Sequence, residues 1–360
     1  MIVTVTLNAA LDTTYRVGAV DWDGVNRVSA VHRRAGGKGV NVARVLAALG
    51  HDVLAVGLAG GPTGQAVLSD LDSAGLAHAF TPIAGESRTT LVISAHPEDP
   101  SSAGDFSGGG DPPGAGGLSG GGDPSGAGDL SGAGGFLGAG GFSGAGGFSG
   151  TAAPAAGRTA LFNEPGPEVT PDELRNFVMS YEARVKAADA VVISGSLPGG
   201  VPADFYATLA RIAARHGVPA IVDADGEPLR HAPTGRPTIV KPNHEELARA
   251  VPGGTPAEGA QALRSRGAES VVVSMGKDGL LAVTPEGDFR ARMPYTVAGN
   301  PTGAGDALVA GLALGLVEAA AWPERLRRAA ALGAAAVAAP VAGDFDHNVY
   351  TDIHPKIDIS

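Results

Sequence analysis

Short β-rich apolar runs and segments of helical period alternate along most of this chain, and no other feature limits its fold as strongly. The first run, Ile2, Val3, Val5 and Leu7, ends at Asn8 and reads as an interior strand. From Gly39 to Leu49 the residues Val40, Val42, Ala43, Val45, Leu46 and Leu49 recur at helical spacing, and Gly50 stands where a helix-stopping glycine belongs. Val53–Leu58 predicts another strand, Gly60-Gly61-Pro62 a turn, and Gly64–Ser73 a helix. Strand runs recur at Ala190–Ser194, Ala220–Asp223, Thr238–Val240 and Val271–Ser274, with helix-like stretches between most of them. Such alternation gives an α/β fold with a mostly parallel sheet and right-handed crossovers.

One window breaks the rhythm. Residues 101–150 hold 22 of the 56 glycines, and from Phe106 a six-residue period sets in: Phe106, Pro112, Leu118, Pro124, Leu130, Phe136, Phe142 and Phe148 share one phase. One apolar side chain per six residues cannot offset the backbone entropy of ordering so much glycine, so a flexible insertion over residues 97–157 is expected. A packed polyproline-II repeat is the other reading. Thr89–Ser94 and Thr159–Asn163 flank it like the arms of a hairpin, which places the insertion at a hairpin tip.

Outside that window the apolar content suffices for one large core, so residues 1–360 are expected to form a single domain. The absence of cysteine excludes disulfides, thiolate metal sites and a cysteine nucleophile, and suits a reducing, cytoplasmic setting. No run approaches a membrane span, and the amino-terminal residues lack the pattern of a secretory signal. With 37 acidic and 26 basic residues the chain has no general attraction for nucleic acid or an anionic membrane. An anionic substrate would have to be held by a few local cations.

Two segments carry chemistry. Asn300-Pro301-Thr302-Gly303-Ala304-Gly305-Asp306 precedes an apolar helix over Ala307–Val317. Small residues before a helix let backbone amides converge, and the helix N-terminus adds positive potential, so an anion hole with a carboxylate beside it is expected. A helix cap with close-packed glycines is the plainer reading. Gly36-Gly37-Lys38-Gly39-Val40-Asn41 likewise sets glycines and a lysine before a helix, but it is neither a Walker A loop nor a dinucleotide-binding turn. There the plainer readings are a tight turn with a solvated Lys38, and an Asn41 that serves only the helix end.

Together with further segments along the chain, these two resemble the ribokinase-like PfkB sugar kinases, in particular the branch of 1-phosphofructokinase and tagatose-6-phosphate kinase. The similarity is carried by Thr4–Asn8 with Leu11-Asp12, Asn26-Arg27, Gly36–Arg44, Ser87-Arg88-Thr89, Asn163–Pro167, Ser194–Pro198, Lys241–Leu247, Val273–Gly276 with Gly279, and Thr302–Asp306. It implies a ribokinase-like three-layer sandwich with a small β lid formed roughly by residues 8–33 and 86–165, a lid that in the family often builds a dimer interface.

The resemblance also implies roles. Asp306 would be the base that activates the acceptor hydroxyl, with the amides of Gly303, Ala304 and Gly305 on the transferring phosphoryl group. Asp12, Asn41 and Gly37 would hold sugar hydroxyls, and Arg27, Arg88 and Lys38 would meet the acceptor's own phosphate, guanidinium forks being suited to it. Lys241, Asn243, Ser274, Gly276 and Gly279 would hold ATP, and Asn243 with Glu246 would order Mg²⁺, mainly through water. Fructose 1-phosphate and tagatose 6-phosphate lead as acceptors. A kinase of an unphosphorylated sugar or nucleoside, or a silent sugar-phosphate sensor or scaffold, are the alternatives. Three departures from the family pattern bear on which sugar is used: Pro301-Thr302, Asp223-Ala224-Asp225-Gly226 and Leu91.

Overall fold

A computed structural model describes residues 1–18, 20–95 and 158–360. The expected flexible insertion at 97–157, with its six-residue repeat, lies outside the described residues.

Among the described residues, ten strands form the central sheet. Seven run parallel in the order β5 (His78–Pro82), β4 (Val53–Ala59), β1 (Ile2–Thr6), β8 (Ala190–Ser194), β9 (Ala220–Asp223), β10 (Ile239–Val240) and β11 (Ser270–Ser274). An antiparallel edge follows, made of β12 (Leu280–Thr284), β13 (Gly287–Arg292) and β14 (Asp358–Ile359). The chain leaves β1 toward β4 and β5 in one direction and fills β8 to β11 in the other. The strand order thus reverses at β1, where the carboxyl ends of an α/β sheet open a crevice.

Helices cover both faces, which is why β1 and β8 are buried at every position and read as continuous apolar runs. One layer contains α1 (Lys38–Ala48), α2 (Gly61–Ser73), α8 (Ala304–Val317), α9 (Trp322–Val337) and α10 (His347–Ile353), packed with Ile2, Val192, Ile221 and Val272 of the sheet. The other contains α3 (Pro171–Val185), α4 (Phe205–Arg215), α5 (Gly226–His231), α6 (His244–Ala250) and α7 (Pro256–Ser265), packed with Val3, Val191 and Val222. Helix α8 packs between α1 and α9 against β8 and β9, and Leu308, Val309, Leu312 and Leu314 are buried. At roughly 1.5–3 kcal/mol per buried side chain, these four anchor a rigid support for Asp306 two residues upstream. Among the described residues no helix is long and apolar enough to cross a membrane.

A second, four-stranded sheet stands over the crevice in the order β3 (Ala30–Gly36), β2 (Ala10–Val17), β6 (Arg88–Ala95) and β7 (Arg158–Asn163). Two antiparallel hairpins, β2/β3 and β6/β7, join through a parallel β2/β6 pair. Ala95 pairs with Arg158, so the insertion leaves and re-enters the sheet at adjacent backbone positions. Helix starts are the main departure from the sequence reading: α1 begins at Lys38, α2 at Gly61 and α8 at Ala304, each ahead of its first periodic apolar residue. Gly50 has φ 81°, as a helix-terminating glycine should.

Candidate active site

A cavity of about 1030 Å³ lies between the lid and the carboxyl ends of the central strands. Asp306, Asn41, Asp12, Arg88, Lys38 and Lys241 all line it, although they come from segments far apart in the chain.

Its floor is the amino end of α8. Gly303, with φ 87°, caps the helix in the left-handed region, and a Cβ there would stand 2.9 Å from Cα of Ala342, so only glycine fits both backbone and packing. Among the described residues the Gly303 and Gly305 amides have no protein acceptor, whereas the Ala304 amide donates to the Pro301 carbonyl at 3.2 Å. An anion at this helix end is therefore offered the Gly303 and Gly305 amides, with Ala304 already engaged. Asp306 is buried and accepts a hydrogen bond from Nδ2 of Asn41 at 2.8 Å. Burial raises its carboxyl to about 7, with Asp223 adding to the rise and Lys38, Asn41 and Lys241 opposing it. A carboxyl group poised near neutrality is suited to accept a proton from a hydroxyl.

The lid supplies the opposite wall. Strand register sets Arg34, Asp12, Thr90 and Asn163 in one row, and all four line the cavity. A Cβ on Gly36 would collide with the Asp12 carboxylate, so the glycine opens the space that side chain occupies. Burial lifts Asp12 to about 6 against the hydrogen bond to Thr90 and the charges of Arg88, Arg34 and Arg44. Arg88 is held by two carbonyls, Nε donating to Asn8 at 3.1 Å and Nη1 to Glu164 at 3.3 Å. Asn8 in turn donates to the Pro165 carbonyl and to Ser196. The Asn163–Pro167 segment thus secures the lid arm that carries Arg88. At the base of the lid, Asp70 of α2 accepts from the Ala35 amide and pairs with the buried Arg44, which fixes the approach to Gly36 and Gly37.

Arg27 is placed elsewhere. It is exposed and does not line the cavity, and Asn26 closes its own loop by bonding both the amide and the carbonyl of Asp21. Of the three cations that the sequence led us to expect on one site, Lys38 and Arg88 line the cavity and Arg27 does not, while Arg33, Arg34 and Lys241 line it as well.

On the remaining side, an isolated parallel bridge sets Asn243 beside Ser274. Gly276, with φ 58°, has open space at its Cα, while Gly279 packs against the carbonyl of Ala291, a structural demand for glycine. Asn243 and Glu246 form a reciprocal capping box at the start of α6, each bond 2.8 Å long. That leaves Glu246 Oε1 facing Lys38 at 3.9 Å. Among the described residues no group of three acidic or histidine side chains could hold a metal directly. One lone carboxylate oxygen suits a Mg²⁺ that arrives with a nucleotide and keeps its water.

Sequence reasoning missed two parts. Asp223 is 1% exposed, and its Oδ1 lies 3.4 Å from Nζ of Lys38 and 3.3 Å from Nζ of Lys241. Burial would push its carboxyl up, but the two ammonium groups outweigh that and hold it below its ordinary value. Asp223 likewise pushes Lys38 up, against burial. Its position at the carboxyl end of a parallel strand was the available signal. The other part is the loop Pro340–Ala342, which lines the cavity, has no motif of its own, and is tied to the lid by Arg34 donating to Ala342 and pairing with Asp344 at 2.7 Å.

Free amides at a helix end, a buried carboxyl beside them and a lid over the switch point of an α/β sheet are what a phosphotransferase with a hydroxyl acceptor requires. The chain belongs to the pfkB family of carbohydrate kinases, which it matches over residues 5–99 and 155–347. Phosphofructokinase-2 from Escherichia coli, solved in complex with potassium, is 27% identical with a TM-score of 0.76, covering 99% of this chain and 98% of that one. A possible 1-phosphofructokinase from Thermotoga maritima is 22% identical with a TM-score of 0.75, covering 100% and 98%. Ribokinase from Arabidopsis thaliana, solved with ribose and ATP, is 17% identical with a TM-score of 0.64, covering 98% of each chain. The last two likenesses concern the fold.

Proposed function

We propose that this kinase transfers the γ-phosphoryl group of ATP to a hydroxyl of a ketohexose phosphate, with fructose 1-phosphate and tagatose 6-phosphate as the leading acceptors. The observation that carries the reading is the presence, in one cavity, of a buried carboxyl raised to about 7 at an anion-binding helix end and a guanidinium held on the lid opposite. Asp306 takes the hydroxyl proton as the new oxygen–phosphorus bond forms and the bond from the γ-phosphorus to the bridging oxygen of ATP breaks, ADP leaving with the electron pair. The Gly303 and Gly305 amides face the charge of the transferring group, and so does Lys38, assigned to this group and not to the acceptor's phosphate because it pairs with Asp223 of the central sheet. Asp12 and Asn41 orient the sugar, and Arg88 meets its phosphate. Lys241, Asn243, Ser274 and Gly276 hold the nucleotide side, and Mg²⁺, ordered through water by Glu246 and Asn243, supplies charge neutralisation when bound. The lid excludes water, a competing acceptor.

The outer face of the lid carries Val31 and Phe162, 48% and 50% exposed, and the connection between β2 and β3 carries Trp22 and Val25, 74% and 87% exposed. A second copy of the chain is the occupant we propose for this face. Arg27 stands on the same exposed segment, so any contact it makes with acceptor phosphate would cross that interface. Light scattering reads the assembly, and a monomer at micromolar concentration refutes it.

The acceptor is tested by coupled ADP release over fructose 1-phosphate, fructose 6-phosphate, tagatose 6-phosphate, fructose and ribose. Fructose 6-phosphate belongs in the set because the Escherichia coli neighbour was also solved in complex with it. A preference for fructose or ribose overturns the phosphosugar assignment.

A further inference from the structure

Three adjacent strand ends carry a row of buried polar groups that the chemistry of Asp306 does not use. Ser194 at the end of β8 pairs with Asp223 at the end of β9, and Thr6 of β1 lies one step beyond the Val5–Ile193 pair. Side chains in one register row share one face of a sheet, here the face covered by α1 and α8. Thr6, Ser194 and Asp223 are 2%, 0% and 1% exposed. Among the described residues, Thr6 Oγ1, Ser194 Oγ and Asp223 Oδ2 have no hydrogen-bond partner. Unpaired polar atoms at that depth are costly, and an ordered water with several polar partners is the usual remedy.

The other Asp223 oxygen holds two cations. Lys38 Nζ approaches Oδ1 from the first turn of α1 at 3.4 Å, and Lys241 Nζ approaches it from the end of β10 at 3.3 Å. Lys241 is 3% exposed, and its ammonium lies 3.7 Å from where a Cβ on Gly305 would stand, against the amide cradle at the start of α8. Two ammonium groups this close repel, and the shared carboxylate is what keeps both in place.

We propose that Asp223 is a positioning residue for phosphoryl transfer: it pins Lys38 and Lys241 together at the Gly303–Gly305 cradle, while the row of Ser194 and Thr6 seats its second oxygen through ordered water. The inference rests on the kinase reading of the cavity and gives Asp223 no contact with substrate. Its action runs through the two lysines.

Asp223→Asn removes the shared charge and nearly preserves shape. Expected is a fall in kcat of about a hundredfold, the scale of losing one donor to a transition-state charge, with acceptor KM unchanged because Asp12 and Arg88 are untouched. ATP affinity, read by calorimetry with no acceptor present, falls about tenfold, since the surplus ammonium charge loses its fixed seat. In a Lys38→Met/Lys241→Met background, Asp223→Asn should add almost nothing, because the groups it acts through are gone. Ser194→Ala and Thr6→Val should each lower kcat by about threefold, the effect of an indirect contact.

If Asp223→Asn does not fold, Asp223→Asn/Lys241→Met removes the unpaired ammonium with its carboxylate, and comparison with Lys241→Met alone reads the remaining effect on Lys38. Wild-type kcat and ATP affinity in a folded Asp223→Asn protein, or an undiminished loss in the double-methionine background, overturns the inference. So does a variant whose melting temperature falls while both constants stay fixed. A wild-type protein that phosphorylates none of the five sugars sinks the acceptor assignment alone, and the calorimetric arm still decides the role of Asp223.

Discussion

Replacing Asp306 by Asn separates catalysis from stability, because the structure assigns the same burial opposite effects on the two. The carboxyl lies 6% exposed between α1 and α8, and burial lifts it from 3.8 to about 7. A base with that value is about one-tenth ionised at pH 6 and about nine-tenths ionised at pH 8. Wild-type kcat/KM should therefore rise close to tenfold per pH unit below 7 and level off above 8. Asp306→Asn should lower turnover by ~10²–10⁴, the usual loss for a positioned base, and abolish that pH dependence. Stability moves the other way. A carboxyl whose folded value exceeds its unfolded one favours folding only while protonated, so its cost is absent below about pH 4 and complete above about pH 8. The displacement corresponds to roughly 4 kcal/mol at ~1.4 kcal/mol per pH unit, and the amide variant should recover up to that amount at pH 8 and almost none at pH 4. Urea unfolding at the two pH values, with coupled ADP release across pH 5–9, measures both sides. A rate level down to pH 5, or an amide variant of wild-type turnover, refutes the base assignment. An amide variant no more stable at pH 8 refutes burial as the source of the shift.

Further outcomes follow from the same geometry. Gly305→Ala meets only the Lys241 ammonium at 3.7 Å and improves helix propensity by up to ~1 kcal/mol, so the melting temperature should hold while turnover collapses as the methyl enters the anion hole. Gly303→Ala must adopt φ 87° against Ala342, and denaturant unfolding should show a loss of roughly 1–3 kcal/mol. Arg88→Ala removes a charge-assisted contact of roughly 1.5–3 kcal/mol, which predicts a ten- to hundredfold rise in KM for phosphorylated acceptors and little change for free fructose. Replacing residues 96–157 by an Asn-Gly turn joins Ala95 to Arg158, backbone positions that already pair. Loop closure costs ~0.6 kcal/mol per doubling of length, so calorimetry should show a gain of up to ~3 kcal/mol, and a loss would mean that the segment packs on the core.

The alternation of apolar runs and helical segments, by itself, determined the parallel sheet, because strands covered on both faces must be apolar at every position. Separate local motifs made Asp306 and the two glycine-rich helix starts legible as candidates, since an amide cradle is written in contiguous residues. Ser87-Arg88-Thr89 and Asn163–Pro167 were legible as motifs, but their function as mutual supports of the lid was not, for those hydrogen bonds join Asn8, Glu164 and Ser196 across the fold. Arg27 shows the converse: its context suggested a ligand, and the tertiary structure turned it to solvent on a self-closed loop. Asp223, noticed in the sequence only inside a deviant strand end, became the partner of two lysines because registers of β8, β9 and β10 place their carboxyl ends side by side under α1. Charge pairing inside a low-dielectric crevice depends on distances of a few ångströms between residues remote in sequence, and only the packed chain sets those distances.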